Sequence, residues 1–253
     1  MAHIALITGA SRGIGAAIAR RLAGEDVEVV LAARSSCDEL VDELTSAGRR
    51  AHAVRLDVSD SLAIARVAQE VTGSIGPVDW LINNAGIAES APWAARPAGR
   101  DLYDEHLAIN FHGPRWLTEA LVPGMVERGY GRVVNVASSA GLQGYGYVCA
   151  YVASKHALVG YTRSLALELD KTGVAISAVC PHYVDTPLTA AAVERVIEKT
   201  GRAQDDVRAF FASQNPGGRL VTPEEVAQAV WELCLDDRSG RLVEITGEGS
   251  HSV

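Results

Sequence analysis

Apolar residues recur along the chain in two alternating rhythms. Seven short runs are nearly continuous: His3-Ile-Ala-Leu-Ile7, Val27-Glu-Val-Val-Leu-Ala-Ala33, Ala51-His-Ala-Val-Arg-Leu-Asp-Val58, Val78-Asp-Trp-Leu-Ile82, Gly131-Arg-Val-Val-Asn-Val-Ala137, Val174-Ala-Ile-Ser-Ala-Val-Cys180 and Leu242-Val-Glu-Ile-Thr246. Such runs predict strands buried on both faces. The stretches between them carry helical spacing, as in Val152, Leu158, Val159, Leu165 and Leu169 over 151–168. Further helices are predicted after Gly15, over 38–48 ending at Gly48, through about residue 73, over 99–128, over 187–215 with a break near Gly201, and from Pro223, which follows Thr222 and precedes two glutamates. Strand and helix in alternation predict an α/β fold: a doubly wound parallel sheet of about seven strands with helices on both faces. The chain reads as one domain over 1–253, with a small helical lid at about 187–215.

Composition narrows this picture. With 253 residues, 48% hydrophobic and 21% charged, the chain is long enough to bury one large core. It contains no run of eighteen apolar residues, and its start enters the first strand without a basic leader, so no membrane segment is expected. The four cysteines (37, 149, 180 and 234) lie far apart, without metal-ligand pairing. A reducing cytoplasm and no metal are the expectations. A net charge of -8 disfavours nucleic acid and anionic membranes as partners.

Candidate chemistry enters at three places. Thr8-Gly9-Ala-Ser11-Arg12-Gly13-Ile14-Gly15 lies between the first strand and a helix, the setting in which glycines let the backbone approach a pyrophosphate while the helix amides attract its charge. A tight turn without ligand is the plain alternative. The second strand ends in Ala33-Arg34, where an acidic residue would receive an adenosine ribose 2'-OH. With Arg34 there and Arg12 able to converge on it, a 2'-phosphate is favoured, hence NADP(H) over NAD(H). Tyr151 and Lys155 stand one helical turn apart, so the ammonium can lower the pKa of the phenol. Taken alone, that spacing also describes an ordinary surface pair.

These motifs, with Asn83-Asn84-Ala85-Gly86 after the fourth strand and Ser138 thirteen residues before Tyr151, resemble the short-chain dehydrogenase/reductase family in its single-domain form. The likeness runs from Thr8 to about Gly249 and implies a Rossmann-like fold. In look, Ser138 to Lys155 and Val179-Cys-Pro181 come nearest to 3-oxoacyl-thioester and polyketide-type ketoreductases. The resemblance implies a catalytic set of Asn110, Ser138, Tyr151 and Lys155. It implies cofactor contacts at Gly9, Ser11, Arg12, Gly13, Ile14, Gly15, Arg34, Asp57, Val58, Asn83, Ala85, Gly86, Tyr151, Lys155, Pro181, Val184 and Thr186. His182 stands where the family usually has glycine, either turning an imidazole into the site or lying harmlessly on the surface. Gly247-Glu-Gly249 stands where Asp-Gly-Gly is frequent.

The function so implied is NADP(H)-dependent hydride transfer between a nicotinamide and a ketone or secondary alcohol. Candidate pocket residues are Trp93, Leu142, Gln143, Tyr145, Tyr147, His182, Tyr183, Leu188 and Phe211. Several aromatics with few charges point to an apolar, aromatic, cyclic or acyl-thioester substrate. The alternatives are an NAD-dependent secondary-alcohol or 3-hydroxyacyl-CoA dehydrogenase, and a non-catalytic cofactor-binding subunit of the same fold. A homo-oligomer, dimer or tetramer, is implied through the helices around 99–128 and 150–170.

Overall fold

The computed structural model describes residues 2–253. In chain order its elements are β1 (Ile4–Thr8), α1 (Gly13–Gly24), β2 (Glu28–Ala33), α2 (Asp38–Ser46), β3 (Ala51–Arg55), α3 (Ser61–Ser74), β4 (Trp80–Asn83), α4 (Leu102–Leu107), α5 (Gly113–Arg128), β5 (Gly131–Val136), α6 (Cys149–Glu168), β6 (Val174–Pro181), α7 (Pro187–Thr200), α8 (Gln204–Ser213), α9 (Pro223–Leu235), β7 (Leu242–Thr246) and β8 (Gly249–Ser252). One sheet runs in the order β3-β2-β1-β4-β5-β6-β7-β8. Seven strands are parallel, as their double burial predicts, and β8 adds an antiparallel edge to β7.

The core has two layers. On one face, Ile18 and Leu22 of α1 meet Val226 and Val230 of α9 against Ile7, Val29 and Leu31. On the other, Ile64 and Val67 of α3 and Leu117 and Leu121 of α5 pack on Leu6, Leu81 and Val133. Removing an isoleucine- or leucine-sized side chain from water contributes about 2 kcal/mol each, so these stripes drive the layering. A chain of buried amides crosses the sheet: Asn83 Nδ2 donates to Asn135 Oδ1 at 2.9 Å, and Asn135 Nδ2 donates to Thr162 Oγ1 at 2.8 Å, tying β4, β5 and α6 together.

Strand order reverses between β1 and β4, so the loops after these strands part and leave a crevice at their carboxyl ends. The glycine turn, Arg34, Asp57, Gly86 and Ser138 follow strands at that edge, and Pro181 ends β6 there. Among the described residues no helix is long and apolar enough to cross a membrane.

Candidate active site

A cavity of about 1020 Å³ occupies the crevice. Its floor at one end is the turn between β1 and α1. Gly9 holds φ +65°, and a Cβ there would come within 2.9 Å of Ala85 Cα. A Cβ on Gly15 would fall 2.3 Å from the Gly9 carbonyl oxygen and 2.6 Å from Asn84 Nδ2. The turn therefore closes as it does because those side chains are missing. Thr8 locks it to the fourth strand's loop: its Oγ1 accepts from the Asn84 and Ala85 amides at 3.0 Å, and Asn84 Nδ2 donates to the Thr8 carbonyl at 2.8 Å.

Ser11, Arg12, Gly13 and Ile14 line the cavity beside Ala33, Arg34, Asp57 and Val58. Arg34 is 66% exposed, and its guanidinium lies 3.9 Å from Asp57 Oδ2, too loose to neutralise it. Partial burial pushes the Asp57 carboxyl up, yet hydrogen bonds from the Ser59 hydroxyl and amide, together with Arg34, hold it below the usual carboxylate range. A glycine cradle at a helix start, a flat wall at Leu56, Asp57 and Val58, and two guanidiniums at the rim fit a phosphorylated dinucleotide.

At the centre, β5 delivers Ser138 in extended backbone, its Oγ accepting from the Ala140 amide at 3.1 Å and lying 3.5 Å from the Pro181 carbonyl. Tyr151 comes to the same part of the cavity from the first turn of α6, and both side chains line its wall. The ring packs edge-on against His106, centroids 6.3 Å apart. Lys155, one turn later, is 4% exposed and donates to the Val136 carbonyl at 2.8 Å, with Nζ 5.8 Å from the tyrosine ring centre. Asn110 lies in a π turn at Ala108–His112, a rare device that departs from regular helix where a side chain must be aimed. Its Oδ1 accepts from the Ile87 amide at 2.9 Å, and its Nδ2 donates to Ser154 Oγ and the Ile87 carbonyl, each at 3.0 Å. A Cβ on Gly86 would sit 3.2 Å from Asn110 Oδ1 and 3.7 Å from Lys155 Nζ, so glycine permits this convergence.

Lys155 is not among the groups that shift the Tyr151 phenol. Burial dominates and pushes the phenol up to about 12, the neighbouring Ser138 hydroxyl offsetting only part of it. Burial also pushes Lys155 down to about 8. The ammonium is spent on a backbone carbonyl rather than on the phenol. This has a consequence for stability. Between pH 8 and 10.5 the unfolded lysine keeps a proton that the folded one has lost, so this group's contribution to stability rises with pH across that window, against the opposite contribution of the buried thiols of Cys37, Cys180 and Cys234. The change in urea midpoint from pH 7.5 to pH 9.5 is expected to be less positive in Lys155→Met than in the parent; equal changes in the two proteins would contradict the assignment.

The wall beyond Ser138 is aromatic. Tyr145, Tyr183 and Phe211 stack edge to face, with centroids 6.4 Å and 4.9 Å apart, and Phe210 follows at 5.9 Å. Tyr147, at φ +64°, and Leu188 also line the cavity. Pro181, Val184 and Thr186 line it from the loop after β6, while Ala85, Gly86, Tyr151 and Lys155 face it from the centre.

Several sequence candidates stand elsewhere. Trp93 is 75% exposed on the shoulder outside the main cavity. Gln143 is also off its wall, donating from Nε2 to the Tyr145 hydroxyl at 2.7 Å, and Leu142 is drawn into a small core with Leu158 and Val159. Gly15, Asn83 and Asn110 lie behind the wall, shaping it rather than forming it. His182, by contrast, does line the cavity and is neither a surface residue nor a free imidazole: its ring is buried, with Nε2 2.8 Å from Glu244 Oε1 on β7. His106, which braces Tyr151, and Ser139, whose Oγ is 2.9 Å from the Tyr145 hydroxyl, gave no signal in the sequence because contacts across elements carry no period. Among the described residues no cluster of His, Cys, Asp or Glu could hold a metal, and the four cysteines are free.

Similarity to known proteins agrees with this geometry. A model described as short chain dehydrogenase matches residues 3–196. The 3-oxoacyl-(acyl-carrier-protein) reductase of Escherichia coli is 33% identical over 258 residues, covering 98% of this chain and 94% of its own length. The D-beta-hydroxybutyrate dehydrogenase of Cupriavidus necator is 35% identical over 225 residues, covering 88% and 86%. A crystal structure of a variant actinorhodin polyketide ketoreductase with NADPH superposes at a TM-score of 0.90 and 34% identity, over 97% of this chain and 96% of that one.

Proposed function

The chain belongs to the short-chain dehydrogenase family, and from that premise we propose that it is an NADP(H)-dependent reductase of ring-bearing or acyl-thioester ketones. The observation that carries the reading is the meeting of the Ser138 and Tyr151 hydroxyls, with Lys155 one turn on, in a cavity that has two arginines at its other end. Bound there, a nicotinamide supplies the hydride. The protein's part is to hold the carbonyl and manage its charge.

The Ser138 and Tyr151 hydroxyls donate hydrogen bonds to the carbonyl oxygen and stabilise the negative charge that develops on it. Tyr151 then gives its proton to that oxygen as general acid. A phenol held at about 12 is fully protonated near neutrality, the state reduction requires, whereas oxidation requires the phenolate. Lys155 is the candidate to hold the cofactor's ribose and to carry positive charge toward Tyr151 when a hydroxyl competes with the Val136 carbonyl for Nζ. Asn110, fixed by Ile87 and Ser154, positions the backbone behind that lysine. The relatives named as 3-oxoacyl-carrier and polyketide ketoreductases support a keto substrate, and the wall of Tyr145, Tyr183 and Phe211 supports an apolar or ring-bearing one. α7 and α8 close over that wall as a lid that excludes water.

The cofactor choice rests on Arg34 and Arg12, and nicotinamide fluorescence tests it. NADPH is expected to bind at least tenfold more tightly than NADH, about 1.4 kcal/mol, and Arg34→Ala to erase that difference. Equal or tighter binding of NADH by the parent would move the reading to an NAD-linked dehydrogenase with Arg34 as a solvated side chain.

A further inference from the structure

The cavity is basic in an acidic protein. The chain carries a net charge of -8, yet the Lys, Arg, Asp and Glu side chains on the cavity wall are Arg12, Arg34, Lys155, Arg195 and Lys199 against Asp57 alone. The first three belong to the cofactor and proton-transfer roles proposed above. Arg195 and Lys199 have no such assignment. They lie one turn apart on α7, on the face the lid turns inward, beside Val196 and Thr200 and across from Phe210 and Phe211.

Neither cation is satisfied within the protein. The neighbouring acids Glu194 and Glu198 are exposed, and among the described residues no carboxylate comes within ion-pairing distance of Arg195 or Lys199. Arg195 makes one hydrogen bond, from Nη2 to the Ala88 carbonyl at 3.3 Å, while its Nε is buried without a partner. A buried guanidinium N–H left unpaired is costly unless something arrives to accept from it. A guanidinium presents paired donors in one plane, the shape that a carboxylate accepts in bidentate fashion.

We propose that Arg195 and Lys199 form an anion-recognising end of the substrate cavity, and that the preferred substrate is a ring-bearing ketone that carries a carboxylate. The ring lies on the Tyr183 and Phe211 wall and the carboxylate meets Arg195, with Lys199 at the mouth adding attraction. Cation and aromatic wall together select a keto acid over the neutral ketones that the aromatic residues alone would suggest. The proposal rests on the hydride-transfer reading for the ketone but not for the anion site itself.

The test compares two matched aromatic ketones, 4-acetylbenzoate and its neutral analogue 4-acetylbenzamide, with NADPH as reductant. The parent is expected to favour the acid in kcat/KM. Arg195→Met is expected to lower the acid-to-amide ratio at least tenfold, through KM, and Arg195→Lys to retain most of it. An unchanged ratio in Arg195→Met would overturn the proposal. So would equal losses for acid, amide and NADPH binding, which would assign Arg195 to a cofactor phosphate. A binding measurement separates this from the catalytic reading: calorimetry of NADPH-loaded protein with 4-isopropylbenzoate and 4-isopropylbenzamide, which cannot be reduced. If neither ketone turns over but the acid binds in an Arg195-dependent manner, the anion site stands and the reductase reading falls. Absence of any preference for the acid in that measurement overturns the site.

Discussion

Tyr151→Phe is expected to lower kcat about a thousandfold while leaving NADPH binding within a fewfold of the parent. The substitution removes the proton that must reach the carbonyl oxygen, an effect worth 10²–10⁴ when a positioned general acid is lost. It also removes one of two hydrogen bonds to the developing charge. The ring itself stays, and with it the edge-on contact with His106 at 6.3 Å and the packing of the first turn of α6. Because Ser138 and Tyr151 act on one oxygen, Ser138→Ala combined with Tyr151→Phe is expected to cost little more than Tyr151→Phe alone. Stopped-flow single turnovers separate this from slow product release, and retention of a tenth or more of the parent rate by Tyr151→Phe would contradict the role.

The second large effect is expected at Gly15→Ala. Its added methyl would lie 2.3 Å from the Gly9 carbonyl oxygen and 2.6 Å from Asn84 Nδ2, and neither can retreat freely. Gly9 already holds φ +65° against Ala85, and Asn84 Nδ2 is bonded to the Thr8 carbonyl at 2.8 Å. The turn must therefore open, with an overpacking cost of about 1–3 kcal/mol. NADPH binding is expected to weaken at least tenfold and the thermal midpoint to fall by several degrees. Gly24→Ala is the control, since a Cβ there meets nothing within 4 Å. Parent-like NADPH affinity in Gly15→Ala would show that the turn does not cradle the cofactor.

Much of this architecture was legible because its signals are local. All seven parallel strands sit within a few residues of their apolar runs, since a strand buried on both faces has no alternation to blur. The helix break near Gly201 appears between α7 and α8, where glycine takes φ +69° as the left-handed cap of α7. The eighth strand was not legible. Gly249-Ser-His-Ser252 has no apolar pattern because it is an exposed edge, held by its pairing with β7 rather than by burial.

The limits at the site are of the same kind. Glycine spacing and the interval between Tyr151 and Lys155 are distances along one chain, so they can be read in order. The Val136 carbonyl at the end of β5, which accepts from the lysine, is a partner that this interval does not name. Trp93 and Gln143 look like pocket residues by type, but exposure of one and the Tyr145 hydrogen bond of the other set them off the wall. The place of Arg195 on the cavity wall follows from how α7 lies across Ala88 and packs on α8, which no periodicity encodes, while Lys199 stays exposed at the mouth.

The most direct test of the central claim, hydride transfer to a carbonyl held by Ser138 and Tyr151, follows a deuterium label. The protein is incubated with NADPH carrying two deuteriums at C4 of the nicotinamide and with a ring-bearing ketone, and the alcohol is analysed by mass spectrometry. One deuterium on the carbinol carbon, formed in equal amount with oxidised cofactor and lost in Tyr151→Phe, is the predicted result. Alcohol without deuterium, or oxidation of NADPH with no alcohol formed across neutral, acidic and thioester ketones, would contradict it.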